Sequence, residues 1–240
     1  MIKREYGIPY KCTKHCKIDV EYQPIINLST GEIYAYEGLA RFQQYNQSLP
    51  PEKVFKSLLH NPKEYHKLEI KVKLLQIKHR PIGIRLFLNI DPLMCTSNKK
   101  ILFWSDFFKK QDNVTMEIIE SKSKQALINS KEIYKVAEAF GVNFALDDVL
   151  SSGSLHCMEL FSSIDTVKID RNIFLKAQSC DKKKEILVNF IEMCLSLGKT
   201  VIQEGIETSE QLLFAREYKV THVQGYLYRD LFEYKRSLVP

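Results

Sequence analysis

Glycine and proline are scarce, nine and eight in 240 residues, so neither a collagen-like repeat nor a Gly/Pro-rich linker divides the chain. No apolar run approaches the roughly 18–20 residues of a membrane span. The opening residues, MIKREYGIPYKCTKHC, carry charge with no apolar stretch behind them. That lacks the pattern of a secretion signal, and a cytoplasmic protein is expected. There is no G-x-G-x-x-G and no P-loop, which argues against an open nucleotide-binding sheet. Without an export signal the six cysteines read as reduced thiols. Cys12 and Cys16 with the adjacent His15 lack the second half of a zinc motif, so residues 1–17 read as an arm with free thiols.

What is present is ordinary globular composition, 45% hydrophobic and 27% charged, in a chain long enough for one large domain or two small ones. The net charge of +6 favours an anionic partner but falls short of a dedicated nucleic-acid binder. The basic stretches Lys182 to Lys184 and Lys71 to Arg80 read as solvated faces of outer helices, and no DNA or RNA partner is expected. The lone Trp104, among Leu102, Phe103, Phe107 and Phe108, reads as a packed helix.

Two glycines mark a recurring unit. Gly141 and Gly198 each end a helical pattern and precede a short apolar strand that finishes in acid. Extending the unit gives strands at 19–28, 33–40, 85–90, 114–119, 143–147, 166–169, 200–204 and 222–227. Helices are expected at 51–79, 95–110, 124–140, 154–162, 181–197 and 208–218. A hairpin-length turn, Leu28 to Glu32, joins the first two strands, which should be antiparallel; the others alternate with helices and should be parallel. The pattern predicts an α/β fold, a modified TIM (β/α)8 barrel with an antiparallel first strand.

Polar residues fall at the strand ends: Glu37, Asn89, Glu117, Asp147 with Asp148, Lys168 with Asp170, Glu204 and Gln224. Singly, each is an ordinary polar residue where a strand meets its loop. In a barrel these ends form one ring, and five carboxylates in it cannot all stay ionised without cations or shared protons. Mg²⁺ or Mn²⁺ suits such oxygen ligands. Two such ions could polarise a phosphoryl oxygen and activate water, with the pair Asp147-Asp148 able to bridge them. Lys168 would orient that water or offset charge, or simply close a salt bridge within the ring. Glu204 would act as a general base or a further ligand.

Eight motifs in order resemble the EAL-domain family of cyclic-di-GMP phosphodiesterases: Tyr22-Gln23-Pro24-Ile25-Ile26, Glu37-Gly38-Leu39-Ala40-Arg41, Leu88-Asn89, Met116-Glu117-Ile118-Ile119-Glu120, Asp147-Asp148, Val167 to Arg171, Glu204 to Thr208 and Gln224-Gly225-Tyr226. The resemblance covers roughly residues 18 to 235 and assigns an EAL domain to residues 18–240. It implies hydrolysis of cyclic di-GMP to linear pGpG with Mg²⁺ or Mn²⁺ in a two-metal site, and a homodimer. By motif position, Glu37, Asn89, Glu117 and Asp147 match ligands of one metal; Asp147, Asp148 and Glu204 surround the second. Lys168 is similar to the family's water-orienting lysine, Glu204 to its general base and Gln224 to a glutamine near the activated water. Gln23, Leu39, Arg41 and Asp170 match substrate-contacting positions, and Glu120 a glutamate that steadies the loop after the fifth strand.

Three departures stand out. The family's name-giving triplet reads Glu37-Gly38-Leu39, a small change because the acid is kept. Members that turn over substrate usually read Asp-Asp-Phe-Gly-Thr-Gly where this chain reads Asp147-Asp148-Val149-Leu150-Ser151-Ser152-Gly153. A Pro after Gln-Gly-Tyr is replaced by Leu227. The altered loop keeps a second reading open, a non-catalytic module that binds the dinucleotide as a receptor or docks on another protein. No cyclase or sensory domain is recognised in these 240 residues, so input is expected from a regulatory protein partner or from expression level.

Overall fold

The computed structural model describes residues 16–45, 47–119, 123–153, 155 and 157–236. They fall into two compact units. The larger holds Gln23–Glu37 and Gly83–Leu231; the smaller holds the described parts of residues 1–22, 38–82 and 232–240.

The larger unit is built on parts of β1 (Lys17–Asn27) and β2 (Ile33–Gln44), then β4 (Arg85–Ile90), β5 (Val114–Ile119), β6 (Asn143–Val149), β7 (Thr166–Ile169), β8 (Thr200–Gln203) and β9 (His222–Gln224). The strands pair in the order β1-β9-β8-β7-β6-β5-β4-β2, and a β1–β2 pairing closes the barrel. β1 runs antiparallel to β9, with Ile25 opposite Gln224 and Asn27 opposite His222. From β2 through β4 to β9 the neighbours are parallel, as the alternation with helices dictates. The reversal between β1 and β2 is a side-chain-built turn. The Asn27 Oδ1 accepts from the Ser29 amide at 2.8 Å and the Thr30 amide at 3.2 Å, and the Asn27 amide donates to the Glu32 carbonyl at 2.9 Å.

One layer of the barrel interior is Ile25, Ala35, Phe87, Ala145 and Ile202, all without exposed surface. Around the strands lie α3 (Asn98–Lys109), α4 (Lys124–Ala139), α5 (Met158–Ser163), α6 (Arg171–Gln178), α7 (Asp181–Ser196) and α8 (Ser209–Glu217). The helix labels follow α1 (Pro51–Ser57) and α2 (Pro62–Lys78) of the smaller unit. Gly141 and Gly198 end α4 and α7 with φ of 72° and 73°, the left-handed caps their positions predicted. Trp104 is 1% exposed on α3 and meets Phe103, Phe107 and Phe108, so the aromatic cluster is largely packing.

In the smaller unit Val20 to Tyr22 of β1 pair antiparallel with β10 (Glu233–Lys235), and Phe42 to Gln44 of β2 pair with β3 (Gln47–Leu49). Ile18, Ala40, Phe42, Val54 and Val72 form its core. The helix expected over 51–79 is two helices, α1 and α2. Pro62 cannot donate an amide to a preceding turn, and the Asn61 side chain accepts from the Glu64 amide at 3.3 Å to start the second helix. The face from Lys71 to Arg80 is not wholly solvated, because Lys73 and Gln76 are buried. The Gln76 carbonyl accepts from the Tyr22 hydroxyl and its Nε2 donates to the Gly38 carbonyl, both at 2.6 Å.

Other expected bounds shift. The helix expected at 95–110 begins at Asn98, preceded by a 3-10 turn at Pro92–Met94, and that expected at 154–162 begins at Met158. The strand expected over 222–227 ends at Gln224. There the Leu227 amide turns to the Ile206 carbonyl at 3.0 Å and opens the 3-10 segment Tyr226–Leu231. Helix α6 was not expected; Asp170 starts it by accepting from the Asn172 and Ile173 amides at 3.0 and 3.3 Å. Strands β3 and β10 have only three residues each and left no pattern to read.

Candidate active site

Strand periodicity places the polar ring. Successive side chains alternate between faces, so a residue two places from an interior one also points inward. Glu37, Asn89, Asp147 and Glu204 each lie two residues beyond the interior Ala35, Phe87, Ala145 and Ile202. Gln23 lies two residues before Ile25, the reverse order that an antiparallel β1 demands. Asn89 is also in register with Glu117 on the next strand. The barrel thus carries its apolar layer directly beneath a polar one.

At the centre is Lys168 of β7, with no exposed surface. Its Nζ lies 2.8 Å from Glu117 Oε1, 2.8 Å from Glu204 Oε1, 3.1 Å from Glu37 Oε2 and 3.2 Å from Asp147 Oδ1. Glu37 is held further by Asn89 Nδ2, which donates to Oε1 at 2.8 Å, and by Gln224 Nε2, which donates to Oε2 at 2.7 Å. Gln23 Oε1 accepts from the same Gln224 Nε2 at 3.4 Å.

The electrostatics follow from this crowding. Burial alone would raise Glu37, but Lys168 and the bonds from Gln224 and Asn89 hold its carboxyl below the ordinary glutamate value. Glu117 and Asp147 are pushed up, chiefly by burial and against the pull of Lys168, with Glu37 adding repulsion. Glu204 is pushed up to about 8, by burial first and by Asp147 and Glu37, again against Lys168. For Lys168, burial works against the charge, yet Asp147, Glu117, Glu204 and Glu37 together hold it well above the ordinary lysine value.

Asp147, Asp148 and Glu204 each offer a carboxylate oxygen within 4.8 Å of the others, a spacing that could hold a metal ion. The donor chemistry fits a hard divalent cation. The donors are oxygens, one ammonium faces four carboxylates, and the buried Glu117 Oε2 has no hydrogen-bond partner. The backbone is strained beside them, with φ of 56° at Asp148 and 66° at Leu150. The loop thus reaches left-handed angles without the glycines whose absence the sequence pointed out. The Asp170 amide donates to the Val149 carbonyl at 3.1 Å and the Ser151 amide to the Asp148 carbonyl at 3.0 Å.

Other candidates are engaged differently. The Asp170 carboxylate caps α6. Leu39 and Arg41 belong to the smaller unit, where Arg41 forks onto Glu21 at 2.6 and 3.2 Å. Glu120 and Cys12 lie outside the described residues. Among the described residues none of the cysteines forms a disulfide; Cys16, Cys157 and Cys180 are half-buried, Cys95 and Cys194 buried. Sequence reasoning missed Gln203, whose buried Nε2 donates to the Ile169 carbonyl at 3.2 Å and the Glu204 carbonyl at 3.0 Å. It also missed Gly225. A Cβ there would stand 2.1 Å from the Ile206 carbonyl oxygen, so only glycine lets the chain after Gln224 run against the loop after Glu204. Nothing in the spacing announced either one.

A family model described as "EAL domain" matches residues 10–230. The chain belongs to the EAL domain family. It is 23% identical over 223 residues to the cyclic di-GMP phosphodiesterase NbdA of Pseudomonas aeruginosa, covering 88% of this chain. That match takes in only 28% of NbdA's length. Among solved structures, the EAL domain protein of Listeria monocytogenes aligns with a TM-score of 0.73 at 24% identity, over 88% of this chain and 87% of that one. The manganese and cyclic-di-GMP complex of Klebsiella pneumoniae BlrP1 aligns with a TM-score of 0.74 at 19% identity, over 92% and 56%. At these identities the structures speak for the EAL fold. Among the described residues no helix is long and apolar enough to cross a membrane.

Proposed function

We propose that this EAL domain hydrolyses one phosphodiester of cyclic di-GMP to give linear pGpG, and that it depends on Mg²⁺ or Mn²⁺. The observation that supports this best is the excess of carboxylate over ammonium at the strand ends, four acids around Lys168 with Asp148 beside them. Glu37, Asn89, Glu117 and Asp147 would hold one ion, and Asp147, Asp148 and Glu204 a second. Bound there, such ions supply Lewis-acid polarisation of the phosphodiester and lower the pKa of the attacking water.

The protein's own groups do the rest. Glu204 accepts the proton of the attacking water; its side chain, 20% exposed, is open to solvent while Oε1 faces Lys168. Lys168 offsets charge as it builds on the phosphoryl group. Gln224 and Asn89 fix the two oxygens of Glu37 by donating to each, so this carboxylate stays ionised and oriented. Gln23, Leu39, Arg41 and Asp170 would contact the dinucleotide, and Glu120 would steady the following loop. A homodimer and a regulatory protein partner belong to the same reading.

The test is pGpG formation from cyclic di-GMP with Mn²⁺ or Mg²⁺, followed by chromatography, beside a Glu37→Ala control. Wild type should make pGpG and the control should lose at least about 10²–10³ in rate, as expected when charge-stabilising machinery is removed. Binding of the dinucleotide without product under either metal would sink the enzyme reading. It would favour the second one, a receptor module, for which the left-handed Leu150 in the altered loop is the motivating feature.

A further inference from the structure

The three N–H bonds of Lys168 are outnumbered. Nζ lies within 3.2 Å of oxygens from four different carboxylates, and the ammonium has only three protons to give. Only the Glu37 contact is also a hydrogen bond by geometry, at 3.1 Å; towards Glu117, Asp147 and Glu204 the ammonium stands as an ion-pair partner at 2.8–3.2 Å. The partners come from β2, β5, β6 and the end of β8, while Lys168 itself stands on β7. Glu37 and Lys168 are 131 residues apart in sequence, so the contact ties together strands that share no hydrogen bonds. Remove the ammonium and four buried acids face one another with no counter-charge.

We infer that Lys168 is a built-in counter-cation: its ammonium holds the metal-free cage together and competes with a divalent ion for the same carboxylate oxygens. This rests on the reading that the cage takes a divalent metal. A cation of higher charge satisfies those oxygens better than an ammonium does, so loading the cage must displace contacts between Lys168 Nζ and the carboxylate oxygens. The N–H donors then become free for the substrate side. The lysine is therefore both a stabiliser of the empty barrel and a brake on metal uptake. A lysine that only oriented water would have neither property.

The test uses the full chain and reads stability and metal binding rather than turnover. Lys168→Met keeps the length of the side chain and removes the charge. In EDTA its Tm should fall by about 10 °C or more, the scale for stranding buried partners in a chain of this size. MnCl₂ should raise the variant's Tm by more than it raises the wild type's. Calorimetry should show Mn²⁺ bound roughly tenfold tighter, or better, by the variant. Lys199→Met, another buried lysine lost, should show a drop in Tm that Mn²⁺ does not reverse. Equal Tm values for wild type and Lys168→Met in EDTA, or unchanged or weaker Mn²⁺ binding, overturn the inference. If Lys168→Met does not fold in EDTA, the double variant Lys168→Met/Glu117→Gln, with one acid fewer, should fold better; no improvement also overturns it. These differences between variant and wild type, found while wild type makes no pGpG, would remove the proposed reaction and leave the counter-cation role standing. Product formation without the shifts would do the reverse.

Discussion

Lys168 and Lys199 both lie in the larger unit, the first with no exposed surface and the second 5% exposed, yet their basicities shift in opposite directions. Lys168 is ringed by carboxylates and held above the ordinary lysine value. Burial lowers Lys199 below the ordinary lysine value, against opposing pulls from Cys194 and Asp165. Its Nζ donates to the Ile164 carbonyl at 2.5 Å and the Ser162 carbonyl at 3.4 Å, over the Phe161 ring at 5.0 Å. Those partners are neutral dipoles at the end of α5. Depth does not decide what a buried base does; the charge of what it faces does.

The comparison can be pressed in order of effect. Without metal, Lys168→Met should cost about 3–5 kcal/mol in denaturant unfolding, because it strands four acids. Lys199→Met should cost less, about 1–3 kcal/mol, since it strands only carbonyl oxygens. Equal costs would erase the distinction between the two sites. A third buried base sharpens it. His222 is 6% exposed and lowered to about 4, by burial first and by Arg85 next. The unfolded chain protonates this histidine near 6.5, so the folded state is favoured fully above that pH and loses ground as pH falls towards 4. At pH 5.5 the loss is about 1 kcal/mol, and Tm measured from pH 7 to 4.5 should fall less steeply in His222→Gln than in wild type.

Much of this candidate site is legible in the sequence, and the reason is periodicity. Glu37, Asn89, Glu117, Asp147 and Glu204 sit where apolar strand patterns end, and a barrel brings all such ends to one mouth. The eight barrel strands were legible to within a few residues for the same reason. Helix α6 was not, because Asp170 looked like one more strand-end acid when its carboxylate serves the helix that follows. The break between α1 and α2 was hidden under a continuous apolar stripe, although Pro62 marked it. A salt bridge from Lys168 within the ring was one of its readings, but its meeting four carboxylates at once was not, since it joins residues far apart in sequence across the barrel.

Gly225 has no group that could bind, donate or accept beyond its backbone, and its missing side chain is what lets two loops pass each other. A random-mutagenesis screen for loss of function should therefore return this position alongside Glu37 and Glu204, with alanine already among the hits. Such a map would show an apparent active-site residue with no chemistry of its own, marking clearance rather than reactivity.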